Sequence, residues 1–115
     1  MDKVRIFALG GLDEDGKNMY VVEINDKIFV LECGLKYPES EQLGIEMIIP
    51  DFSYLIKNKD RIKGVFISHG NDDVMAAIVN LVKEVNVPIY TAPLTAYLIG
   101  SLFKKEKVRK YDLQW

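Results

Sequence analysis

The sequence predicts a small α/β domain: a mixed sheet that begins with antiparallel strands and carries helices on at least one face. Three observations lead there. The first thirty residues form short β-rich runs broken by turn formers, Gly64 to Ile67 is an almost wholly apolar run, and from Asp72 the apolar spacing changes to the helical period. The chain has 115 residues, 49% of them hydrophobic, with 4 Pro and 8 Gly. That is enough for a modest core covering about two thirds of the unfolded surface. Neither an internal repeat nor a low-complexity linker divides it, so a single domain over 1–115 is expected.

Val4 to Leu9 is β-rich and stops at Gly10-Gly11. Tyr20 to Ile24 and Ile28 to Leu31 flank Asn25-Asp26-Lys27, a hairpin signal because Asn and Asp tolerate left-handed turn conformations. A polar stretch from Gly34 to Pro50 precedes Tyr54-Leu55-Ile56, which has room for one or two helical turns before the charged run Lys57 to Lys63. Gly64 to Ile67 has the pattern of a strand buried on both faces and ends at Ser68-His69-Gly70. Val74, Ala77, Ile78, Leu81 and Val82 then fall at helical spacing, with Asp72 or Asp73 placed to cap an amphipathic helix that ends near Glu84. Val87 to Tyr90 is a short strand, and Thr91-Ala92-Pro93 opens a second helix with Leu94, Leu98 and Leu102 on its inner face.

Fifteen Lys and Arg against seventeen Asp and Glu give a formal net charge of −2. No general positive field gathers polyanions, so binding to nucleic acid would need a local basic patch. The single cysteine cannot form an internal disulfide, which points to a reducing compartment. No run approaches 18 apolar residues and none follows the charged start Met-Asp-Lys-Val-Arg, so a cytoplasmic location without a membrane partner is expected.

Chemistry in sheets of this kind gathers at loops leaving the C-terminal ends of strands, here Ser68 to Val74. His69, Asn71, Asp72 and Asp73 crowd that turn, and Gly70 would let the backbone pass close to a ligand. Imidazole and carboxylate are suitable ligands for zinc or manganese. The plainer alternative has His69 as a solvated strand end and the two aspartates satisfying helix N–H groups, and spacing alone favours it. Cys33 reads as a small buried residue, since no second histidine stands ready to activate it. Lys104, Lys105, Lys107, Arg109 and Lys110, with Tyr111 and Trp115, make the one basic cluster, either a contact for an RNA backbone or, preferably, a solvated helix end.

Ala8-Leu9-Gly10-Gly11, Gly16-Lys17-Asn18-Met19-Tyr20, Leu43-Gly44-Ile45, Ile49-Pro50-Asp51, Tyr54-Leu55 and Gly64 through Gly70, followed by Val87-Pro88-Ile89-Tyr90 and Leu94-Thr95, carry a resemblance over Val4 to about Leu102. In order and spacing they resemble the N-terminal part of ribonuclease J, in the RNA-processing branch of the metallo-β-lactamase superfamily. The resemblance implies the N-terminal half of a metallo-β-lactamase fold, of α+β sandwich type, with helices on one face of the first sheet. It also implies RNA as substrate, and endonuclease and 5′ exonuclease chemistry run by two metal ions, usually zinc.

The family's turn reads His-x-His-x-Asp-His, whereas this chain has His69-Gly70-Asn71-Asp72-Asp73-Val74. The resemblance therefore assigns metal ligation to His69 and Asp73, with Asp73 also the candidate catalytic residue, while Asn71 and Val74 occupy lost ligand positions. An amide oxygen is a poor zinc ligand and valine has no lone pair, so zinc is expected to be weak or absent. Asp72 is a substitute carboxylate only if the turn rearranges. The family's Asp-x-Gly becomes Glu32-Cys33-Gly34, in which Glu32 either braces the metal turn or bonds to nearby backbone. Asp13, Glu14 and Asp15 crowd an early loop, where acids would repel an RNA backbone or attract cations.

Three functions follow from the resemblance. The leading one is a catalytically impaired ribonuclease J-like fragment or subunit, a scaffold or partner of an intact paralogue. The others are an active metal-dependent ribonuclease completed by downstream ligands, and an interaction module without RNA chemistry. Whether the chain is an enzyme stays open between them. The family's sandwich covers its first sheet with a second, so half a domain is expected to leave an apolar face open, and the chain either to self-associate or to be a proteolytic remnant.

Overall fold

The computed structural model describes residues 2–12, 14, 16–37, 48–105 and 113–114. Among these residues, six strands form one sheet whose spatial order is the order of the sequence. β1 (Val4–Gly10), β2 (Met19–Ile24) and β3 (Lys27–Leu31) pair antiparallel, while β4 (Ile62–Phe66), β5 (Ile89–Tyr90) and β6 (Leu113–Gln114) continue the sheet in parallel. The hairpin between β2 and β3 closes on Asn25, whose φ of 59° is left-handed, and Ile24 pairs with Lys27. Asparagine reaches that conformation more readily than most residues, and its Oδ1 accepts the N–H of Lys3, from the segment before β1, at 3.0 Å.

Parallel pairing requires a crossover between strands, and helices supply it. α1 (Ser53–Lys57) and a 3-10 turn at Lys59–Arg61 lead into β4. α2 (Asp72–Met75) and α3 (Ile78–Glu84) connect β4 to β5, and α4 (Pro93–Lys105) leads on towards β6. Val21, Val30, Val65 and Ile89 from the strands join Leu55, Ile78, Leu81 and Ile99 from the helices in one buried cluster. Helices therefore cover one face of the sheet. The other face carries Val22, Ile24, Phe29, Leu31, Phe66 and Tyr90, with an aromatic row in which Phe66 stacks on Tyr90 at 4.8 Å between ring centroids.

Three expectations change. The run Gly64 to Ile67 is not buried on both faces: Gly64, Val65 and Ile67 are, but Phe66 points to the open face and is 36% exposed. The single helix expected from Asp72 to Glu84 is two, because the Ala77 N–H leaves the helical ladder and donates to the Cys33 carbonyl at 2.9 Å. On α4 the inner face is made by Thr95, Ala96, Ile99 and Phe103; Leu94 is 73% exposed, while Leu98 and Leu102 are half-buried at the margin of the core. β6 was not anticipated, being only two residues long.

Candidate functional site

The strand-end turn is built where β3 and β4 finish side by side. The Glu32 N–H donates to the Phe66 carbonyl at 2.9 Å, which extends the parallel ladder by one residue. Glu32 then takes a left-handed φ of 68°, a conformation that costs a residue with a side chain about 1–2 kcal/mol. Its carboxylate reaches the turn after β4. Oε1 accepts the Ser68 N–H at 2.7 Å and Oε2 accepts the Ser68 hydroxyl at 2.8 Å. The same Ser68 Oγ stands 2.8 Å from Nδ1 of His69, whose side chain is exposed. Glu32 thus bonds to the backbone and hydroxyl of the turn, and Ser68, which the sequence marked only as a strand end, is the link to His69.

Beyond His69 the chain meets α2. Asn71 stands at the N-cap with an extended backbone (φ −100°, ψ 149°) but makes no side-chain cap. Asp72 does not cap either: its Oδ2 accepts the Tyr37 hydroxyl at 2.7 Å, and its carbonyl accepts the Leu35 N–H at 3.0 Å. That hydrogen bond, then burial, then the Asp72 charge hold the Tyr37 phenol above its ordinary pKa. Tyr37 is another participant that sequence reading missed. Gly70 has a packing reason, since a Cβ there would collide with the Leu98 side chain of α4. The backbone of Asp73 and Val74 lies in α2, but their side chains are outside the described structure.

Two hollows flank the turn. One, about 610 Å³, lies on the open sheet face against Leu31, Phe66, Tyr90, Glu32 and Ser68. The other, about 650 Å³, is more polar and lies between Lys36, Tyr37, Gly70, Asn71 and Asp72.

Glu14 accepts the Gly11 N–H at 3.0 Å and pairs with Lys17 and Lys36 at 3.6 and 3.5 Å. The Gly11 bond first, then the two lysines, outweigh burial and lower its pKa. Its charge is matched within the chain; Asp13 and Asp15 lie outside the described residues. Cys33 is fully buried, and burial drives its thiol far above the ordinary range. Lys104 and Lys105 are exposed at the end of α4, while Lys107, Arg109, Lys110, Tyr111 and Trp115 lie outside the described residues.

Among the described residues, no three His, Cys, Asp or Glu side chains are grouped to hold a metal ion. The described donors next to His69 in the turn are an amide at Asn71 and a carboxylate at Asp72 that is engaged by Tyr37. No helix among the described residues is long and apolar enough to cross a membrane.

No family model matches the chain. Among curated proteins it is 48% identical over 105 residues to ribonuclease J 2 of Streptococcus pyogenes serotype M3. It is 46% identical over 110 residues to ribonuclease J2 of Bacillus subtilis strain 168 and 42% over 114 residues to ribonuclease J 2 of Staphylococcus epidermidis. This chain is a homologue of ribonuclease J. The alignments take in 91–96% of the chain but 19–20% of each relative, so it spans about a fifth of the length of the ribonuclease J proteins it matches. Among solved structures, human tRNase Z, short form, superposes with a TM-score of 0.55 at 17% identity, covering all of this chain and 44% of that one. That neighbour has a metallo-β-lactamase fold, so the expected fold class holds, and at this identity the likeness is one of fold alone.

Proposed function

We propose that the chain is part of a ribonuclease J-type protein that acts on RNA in cytoplasmic processing or decay, and that its strand-end turn is catalytically impaired. The observation behind this reading is the turn itself, His69-Gly70-Asn71-Asp72-Asp73-Val74, within a chain 42–48% identical to proteins named ribonuclease J 2. Two-metal hydrolysis needs both ions to activate water and to brace the phosphate oxygens. An amide at position 71 and a methyl-bearing side chain at 74 remove one donor from each half of such a centre. Zinc is then bound weakly or not at all, and the role left is that of scaffold or partner to an intact paralogue, with self-association through the open sheet face when the chain stands alone.

Zinc titration by calorimetry, on the chain and on the double variant Asn71→His/Val74→His, tests this. The restored variant is expected to bind zinc more than about tenfold more tightly, the scale on which lost ligand support acts. Equal affinity in the two overturns the account of lost ligands. With a 5′-labelled single-stranded RNA and added zinc, the unaltered chain is expected to leave the RNA intact. Zinc-dependent cleavage would instead establish an active ribonuclease.

A further inference from the structure

We propose that the groove between α3 and α4 is a binding site for a small phosphate monoester with an apolar body. Val79 and Asn80 lie four and three residues before Lys83 and so share one side of α3, and Leu102 lies three before Lys105 on α4. These two sides border a hollow of about 260 Å³, which Leu35 and Tyr37 from the segment after β3 also line. Its floor is apolar: Leu35, Ala76 and Val79 are buried, and Leu102 packs against the core beside them. The volume falls below the roughly 300–1,000 Å³ of drug-sized sites, so the occupant is small.

Charge decides the head group. Lys83 and Lys105 are exposed at the hollow, and among the described residues neither joins an ion pair, whereas Lys17 and Lys36 are both paired with Glu14. Asp72, the one lining carboxylate, is engaged by the Tyr37 hydroxyl at 2.7 Å. Two cations against one carboxylate leave an excess of positive charge. Each lysine also stands in the last turn of its helix, where it complements the helix dipole. A full ammonium charge outweighs the half-charge of a helix end, so the pair still attracts an anion. A phosphate monoester carries about 1.5 to 2 negative charges near pH 7 and offers three acceptor oxygens, which matches two ammonium groups that can only donate. A carboxylate brings a single charge. The Asn80 amide, able to donate and accept, adds a polar contact beside the apolar floor. This inference is independent of the proposed RNA-processing role and of whether zinc binds.

Phenyl phosphate is the probe, titrated into the full 115-residue chain and followed by backbone amide shifts. Saturable shifts are expected at Asn80, Lys83, Leu102 and Lys105, with a dissociation constant in the millimolar range, the strength open to so small a ligand. Inorganic phosphate has the charge without the apolar body and is expected to bind at least about tenfold more weakly. The double variant Lys83→Gln/Lys105→Gln loses both charge-assisted contacts and is expected to weaken phenyl phosphate binding by about tenfold or more. Both lysines are exposed, so the core is left intact. Lys104→Gln, an equally exposed lysine that does not line the hollow, is expected to change nothing. The proposal is overturned by shifts confined to the open sheet face around Phe29 and Phe66, or by no saturation at about 10 mM. Equal weakening by Lys104→Gln and by the double variant overturns it too, and so does inorganic phosphate binding as tightly as the phenyl ester.

Discussion

Cys33 lies directly behind Glu32, fully buried, and its carbonyl takes the Ala77 N–H that breaks the helix between α2 and α3. Burial disfavours the thiolate, so the folded thiol holds its proton far more tightly than the unfolded one, whose ordinary value is 9.0. The sign follows directly: this group's contribution to stability is fully present below the unfolded pKa and declines as pH rises above it. Denaturant midpoints of the unaltered chain are expected to fall at alkaline pH, and Cys33→Ala to fall less. At about pH 8 the native thiol is expected to resist iodoacetamide, then react once the chain is unfolded, since the thiolate is the nucleophile. Rapid labelling of the folded chain would contradict its placement. Glu14 and Asp51 act at the other end of the scale. The Gly11 N–H and two lysines lower the first, and the Ser53 hydroxyl and N–H lower the second, so both support the fold above the ordinary carboxylate range and lose that support as pH falls through their lowered values.

At the level of elements, α3 attaches the helices to the sheet, with Ile78, Val79, Leu81 and Val82 all buried. Leu81→Ala is expected to lower unfolding free energy by about 2–5 kcal/mol, the range for emptying a packed leucine site, with chemical denaturation as the measurement. A loss near zero would mean that α3 does not close the core. The antiparallel start was legible because Asn25-Asp26 sits between two β-rich runs and the chain needs a left-handed residue there. The helix break at Ala76–Ala77 was not, because its cause is a bond to Cys33 on a distant segment that no local period encodes. The same holds at the site. His69 stood out by residue type, but the roles of Ser68 and Tyr37 depend on Glu32 and Asp72 arriving from other parts of the sheet and turn. Phe66 misled because an apolar run looks the same whether one face of a strand is covered or both.

Seen whole, the molecule has one face under helices and one lined by Ile6, Ile24, Leu31 and Phe66, all counted among its exposed large hydrophobic residues. Such a face favours association. Sedimentation of the chain is expected to give a mass above the 13.1 kDa monomer, and the double variant Ile6→Lys/Leu31→Lys to return it to the monomer. Both sites are surface positions, so the charges act on association more than on the core. A sharp monomer for the unaltered chain at high concentration would rule the association out.

The strand order β1-β2-β3-β4-β5-β6 carries one more implication, for biosynthesis. As the polypeptide leaves the ribosome, each newly emerged strand has its docking position at the margin last laid down. None must be threaded between two that are already joined, so the sheet can grow in step with translation from its N-terminal hairpins outward.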